Sequence, residues 1–180
     1  MTRMLENQFR GDFGPGQVGR LAPGSLIAPA AKVAAMSDMK FIIVGVDESE
    51  SSREALRWAY DEATHHGASL TVVTTWHAPP LGMTPRYGSQ PPEGYENQPK
   101  RNALALLEQY TAELESRSPA VDVRTSLEEG HPAKVLIERS KEADLLVVGA
   151  RGHGGFAEML LGSVSHQIVA HAECPVVIVR

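Results

Sequence analysis

"ADLLVVGARGHGGFAEMLLGSVSHQIVAH", residues 143–171, decides the fold. Its first eight residues, "ADLLVVGA", are apolar after Asp144 without polar alternation, which predicts a strand buried on both faces, as in a parallel sheet. The apolar run stops at Gly149. Five glycines then fall within residues 149–162: Gly149, Gly152, Gly154, Gly155 and Gly162. Residues 162–172 read as a helix that opens on Gly162 and Ser163. Strand, glycine-rich loop and helix in succession form the repeating unit of an α/β domain. Glycine is entropically costly to order, so the bare backbone between strand and helix needs a physical reason.

The segments to either side repeat the alternation. "MKFIIVGVD" (39–47) is a second doubly buried strand. Residues 48–67 have Leu56, Ala59 and Ala63 at helical spacing and Gly67 as a stop. Residues 68–77 are dense in β-branched side chains and read as a strand. Residues 78–99 hold six of the twelve prolines and three glycines, which predicts a long loop and a candidate lid. In the helix expected over 100–117, Ala103, Leu107, Tyr110 and Leu114 form an apolar stripe. A short strand at 121–127, a helix over 131–143 with Pro132 in its first turn, and a last strand in "PVVIVR" (175–180) complete the order β-α-β-α-β-α-β-α-β. That order predicts one open parallel sheet with helices on both faces. Residues 1–38 are rich in Gly, Pro and Ala with few large apolar side chains, and are expected to be a disordered extension. The domain then spans 39–180.

Composition narrows the function classes. The formal net charge is −5 over 180 residues, which argues against nucleic acid, whose binders are usually basic. No apolar run reaches the length that spans a bilayer. The single cysteine, Cys174, allows no disulfide within the chain and fits a cytoplasmic setting.

In open α/β sheets, ligands bind beyond the carboxyl ends of the strands. Gly149 ends a strand, and Ser163 opens a helix whose N-terminal amides favour an anion. Glycines let a phosphate approach the backbone closely. The competing reading is a surface turn capped by Ser163. A Walker loop is excluded, because no lysine follows a glycine. "GHGGFA" (152–157) fits a dinucleotide fingerprint only loosely, since it does not follow the first strand.

Taken together, Gly149-x2-Gly152-x9-Gly162-Ser163 resembles the nucleotide motif of the universal stress proteins. "FIIVGVDESESSREALRWA", "LTVVTTWH", "ADLLVVGARGHGG" and "LLGSVSHQIVAHAECPVVIVR" resemble that family's first strand and helix, second strand and C-terminal third. The likeness covers roughly residues 39–180.

The resemblance implies a five-stranded parallel sheet in the order 3-2-1-4-5 and an ATP-binding member of the family. Magnesium is a possible companion ion, and AMP or cyclic AMP stays open as the ligand. It implies Gly149 at the ribose, with Gly152, Gly162, Ser163, Val164 and Ser165 around the phosphates and Arg151 and His153 in the phosphate loop. It also implies Asp47 at the nucleoside and the Trp76 backbone at the adenine. For Asp47 the alternative is a helix-capping role in "DESES", and for Trp76 a place in the core. The resemblance further implies a homodimer paired through strand 175–180. The function expected is a nucleotide-responsive regulatory module. A weak ATP hydrolase and a nucleotide-independent scaffold are the alternatives.

Overall fold

The computed structural model describes residues 39–78, 97–118, 120–152 and 161–180. The expected extension 1–38, most of the candidate lid, and His153, Gly154 and Gly155 of the glycine-rich stretch lie outside the described residues.

Among the described residues, nine elements follow in the expected order: β1 (Phe41–Gly45), α1 (Glu50–His66), β2 (Ser69–Trp76), α2 (Gln98–Glu115), β3 (Val123–Glu129), α3 (Pro132–Arg139), β4 (Leu145–Gly149), α4 (Ser163–His171) and β5 (Val176–Val179). The strands form one parallel sheet in the order β3-β2-β1-β4-β5. The chain therefore winds outward from β1 in both directions, and the winding reverses between β1 and β4.

The unbroken apolar strands serve two cores. A strand sends successive side chains to opposite faces. Ile42 and Val44 of β1 join Leu145 and Val147 of β4 on the face covered by α1 and α2. Ile43, Leu146 and Val148 face the other way, onto Leu136 of α3 and Ile168 of α4. Ala103, Leu107, Tyr110 and Leu114 are the buried residues of α2, as the stripe predicts. The Asp144 carboxylate fixes the starting ends of β1 and β4, accepting from the Lys40 and Phe41 amides at 2.8 and 3.0 Å.

Helix ends follow local chemistry. Ser49 caps α1, accepting from the Ser52 amide. Gly67 closes α1 in the left-handed region at φ 63°, and the Ala68 amide reaches back to the Ala63 carbonyl at 2.9 Å, the pattern of a Schellman cap.

Element boundaries shift from the sequence expectation, the helix expected over 100–117 lying at Gln98–Glu115 among them, and two of the shifts have a local cause. The third helix stops at Arg139 rather than running to residue 143. Ser140 is buried, and its hydroxyl turns back to the Ile137 carbonyl at 2.6 Å while accepting from the Glu173 amide at 2.9 Å. A serine bonding the backbone in this way competes with helix continuation. The third strand runs over Val123–Glu129 rather than 121–127, because its pairing with β2 extends to Trp76 opposite Glu129. Gly130, at φ 143°, then turns the chain and donates its amide to the Trp76 carbonyl at 3.0 Å.

Candidate functional site

The carboxyl ends of β1, β2 and β4 surround a cavity of about 320 Å³, at the point where the winding reverses and open α/β sheets hold their ligands. Its apolar wall is Val46, Val73, Leu136, Val148 and Val164, with Pro132 at the start of α3. Polar groups converge from Asp47, Thr75, His77, Arg151 and Ser165. The rings of His77 and His131 lie 6.3 Å apart at its α3 side.

Asp47 follows β1 and is half-buried. Its Oδ1 accepts from the Ser49 amide at 3.0 Å and the Ser49 hydroxyl at 2.5 Å, an Asx turn that leads into the α1 cap. Its carbonyl accepts from the Ser52 hydroxyl at 2.5 Å and the Tyr110 hydroxyl at 2.9 Å. The capping alternative thus describes one carboxylate oxygen. The other, Oδ2, faces Gly152.

Each glycine has its own reason. A Cβ on Gly149 would stand 2.7 Å from the Ser51 carbonyl carbon and 2.8 Å from its oxygen. Gly149 is therefore bare so that the end of β4 can pack against the backbone of α1. A Cβ on Gly152 would stand 2.7 Å from Asp47 Oδ2, so there the missing side chain makes room for a carboxylate. At Gly162, the N-cap of α4, a Cβ would meet nothing nearer than 3.5 Å. A Cβ there would rest in ordinary contact with the backbone of Ala150, Arg151 and Gly152.

Two sets of serine hydroxyls bind the crevice walls together. The Ser51 hydroxyl donates to the Arg151 carbonyl, and the Ser49 hydroxyl lies 3.1 Å from the same oxygen. The Ser51 hydroxyl also accepts from the Arg151 amide at 3.3 Å. Ser165 is buried and donates to the Gly149 carbonyl at 2.8 Å, with the Ala150 carbonyl at 3.2 Å. Its single proton is spent on the end of β4. The amide of Gly162 donates to the Ala150 carbonyl at 2.8 Å, which ties the start of α4 to the same place. The amides of Ser163, Val164 and Ser165, in the first turn, have no acceptor within the helix.

Of the sequence-predicted residues, Asp47, Gly149, Arg151, Gly152, Val164 and Ser165 line one cavity. Gly162 and the exposed Ser163 stand at the start of α4 beside it. Trp76 does not line the cavity; its neighbours Thr75 and His77 do. The Trp76 ring instead carries the Lys100 ammonium 5.3 Å from its centroid, on the α2 side. The sequence reading missed Thr75, His77, Pro132 and Leu136 as wall residues. Among the described residues, no three His, Cys, Asp or Glu gather as a metal site, and no helix is long and apolar enough to cross a membrane.

An open parallel sheet in the order β3-β2-β1-β4-β5, with helices on both faces, defines a doubly wound α/β domain. The model of the universal stress protein family matches residues 39–180, and the chain belongs to that family. A universal stress protein of Mycolicibacterium smegmatis is 37% identical over 143 residues, which is 77% of this chain and 45% of that protein. The chain spans less than half the length of such relatives. UspA from Lactobacillus plantarum superposes with TM-score 0.65 at 23% identity, over 79% of this chain and 98% of that one. A universal stress protein in complex with cAMP superposes with TM-score 0.57 at 27% identity, over the same shares of the two chains.

Proposed function

We propose that this chain binds an adenine nucleotide in the crevice between β1 and β4 and acts as a nucleotide-responsive regulatory module. One observation carries the reading. At the winding reversal, a cavity of about 320 Å³ ends where the bare backbone of Gly152 meets the Asp47 carboxylate and the first turn of α4. The volume falls within the range of small-molecule sites. Apolar walls from Val46, Val73, Pro132, Leu136 and Val148 suit a flat base. Asp47 suits the hydroxyls of a ribose, which a carboxylate accepts. The amides of Ser163, Val164 and Ser165, with Arg151 beside them, suit phosphate. Ser165 acts here by holding the Gly149 and Ala150 carbonyls rather than by reaching the ligand with its hydroxyl.

The relative in complex with cAMP supports an adenine nucleotide as the class of ligand. ATP is our leading choice within that class, and AMP and cyclic AMP are its competitors. Binding would shift the equilibrium between states that partners read differently. The edge strand β5 supports a homodimer. Val176, Val177, Ile178 and Val179 are only half-buried in the single chain, and an apolar sheet edge needs cover.

Mass spectrometry of small molecules released from the purified protein, followed by calorimetric titration with ATP, AMP and cAMP in the presence of magnesium, tests the reading. Co-purified adenine nucleotide or saturable binding at one site per chain is the expected result. No binding of any of the three at millimolar concentration would overturn it.

A further inference from the structure

Val73, Gly45 and Val148 stand in one row across the sheet, since Gly45 of β1 is in register with Val73 of β2 and with Val148 of β4. All three line the crevice. The middle of the row is bare. A Cβ on Gly45 would stand 2.5 Å from Leu136 Cδ1, 3.2 Å from Leu136 Cδ2 and 3.3 Å from Val148 Cγ1. The end of the Leu136 side chain, coming from α3, therefore fills the space that a side chain at position 45 would need. Leu136 is buried and is also part of the crevice wall. Protein interiors are close-packed, so a crowded side chain gives way toward a void. Ile43, Leu146 and Ile168, all buried, share its core cluster and leave it little room on that side. The open volume beside it is the crevice of about 320 Å³.

We infer that Gly45 is a specificity-determining residue: by giving Leu136 a seat between Val73 and Val148, it sets the depth of crevice open to the base. The inference rests on the adenine-nucleotide reading above, in which Val73, Leu136 and Val148 are apolar wall for the base while Asp47 faces the ribose and the first turn of α4 the phosphate. A side chain at position 45 drives Leu136 out of its seat and into the space of the base. A purine needs more of that depth than a pyrimidine on the same ribose phosphate, so it loses more.

Calorimetric titration of the full chain with AMP and with CMP tests this in wild type, Gly45→Ala, Leu136→Phe and the double variant Gly45→Ala/Leu136→Val, with a thermal melt on each to show that it is folded. Wild type is expected to prefer AMP. In Gly45→Ala the Kd for AMP is expected to rise about tenfold, in line with the cost of overpacking, and that for CMP to rise less, so the preference shrinks. Leu136→Phe leaves Gly45 bare but crowds the crevice from α3, and the same change is expected. Leu136→Val takes away the two terminal carbons that the added Cβ would strike, so both Kd values are expected to return close to wild type in the double variant. A loss that persists in the double variant would overturn the inference, because the strain would then lie in the strand and not in a displaced Leu136. Wild-type AMP affinity in Gly45→Ala or Leu136→Phe, equal losses for the two nucleotides, or wild type without a preference for AMP would overturn it too while leaving nucleotide binding in place. Wild type that binds neither nucleotide would sink the nucleotide reading itself, and the inference with it.

Discussion

The Asp47 carboxylate lies directly over the bare backbone of Gly152, so close that a Cβ on Gly152 would stand 2.7 Å from Oδ2. This approach joins the end of β1 to the loop after β4 across the reversal of the sheet. Oδ1 is fixed separately by Ser49, so the carboxylate cannot simply rotate away without losing its turn.

Gly152→Ala is expected to fold and to lose ligand. The clash is with the end of a side chain, not with backbone, so the carboxylate moves and the sheet does not. AMP affinity should fall about tenfold or more, the size of one charge-assisted hydrogen bond, with Tm lowered only by what the Asp47–Ser49 turn contributes. Calorimetry and a thermal melt on the same sample check both halves. Unchanged affinity would remove Asp47 and Gly152 from the site.

Gly149→Ala should do the opposite. Its Cβ would press on the Ser51 backbone, which has nowhere to go while α1 is packed on β4. Overpacking of this kind costs about 1–3 kcal/mol, read as a lower midpoint in urea unfolding. A wild-type midpoint would show that α1 shifts without strain.

At Gly162 the nearest atom to an added Cβ is 3.5 Å away, and the backbone there, φ −70° and ψ 164°, suits any residue. Gly162→Ala should therefore lose only the small advantage of glycine over alanine at an N-cap, below about 1 kcal/mol. A larger loss in urea unfolding would give Gly162 a packing role that the distances do not show.

The three glycines look alike in sequence, and the motif they form was legible there. Their separate reasons were not, because each depends on what the fold brings opposite: Ser51, the Asp47 carboxylate, or the backbone of 150–152 at ordinary contact distance. The strands and the α2 stripe were legible for the converse reason, since unbroken apolar runs and the spacing of Ala103, Leu107, Tyr110 and Leu114 are local. Strand order came only through the family likeness. The end of α3 was missed because Ser140 acts through the Glu173 amide, a partner remote in sequence. The cavity wall was missed in part for the same reason. Thr75, His77, Pro132 and Leu136 come from β2 and α3 and share no pattern. The likeness names the backbone of Trp76, while the side chains that line the cavity are those of Thr75 and His77, which a strand places on the opposite side.

Ser165→Ala should destabilise by about 0.5–1.5 kcal/mol, the net worth of a hydrogen bond, because the buried hydroxyl no longer donates to the Gly149 carbonyl. AMP affinity should fall less than in Gly152→Ala. Urea unfolding and calorimetry check the two. A loss confined to affinity would mean that the hydroxyl turns to the ligand.

Val177→Lys places a charge on the edge strand β5, a substitution that discourages edge pairing. If the proposed dimer uses this strand, analytical ultracentrifugation should show wild type at twice the chain mass and the variant at the chain mass, 19.5 kDa. Equal masses for the two would contradict the β5 interface.

The most direct test of the central claim is a map of amide chemical shifts in the ¹⁵N-labelled full chain during titration with AMP. The account predicts saturable shifts concentrated at residues 45–52, 73–77, 148–152 and 162–165, where β1, β2, β4 and α4 face the cavity. Shifts that cluster elsewhere, or none at millimolar AMP, would contradict it.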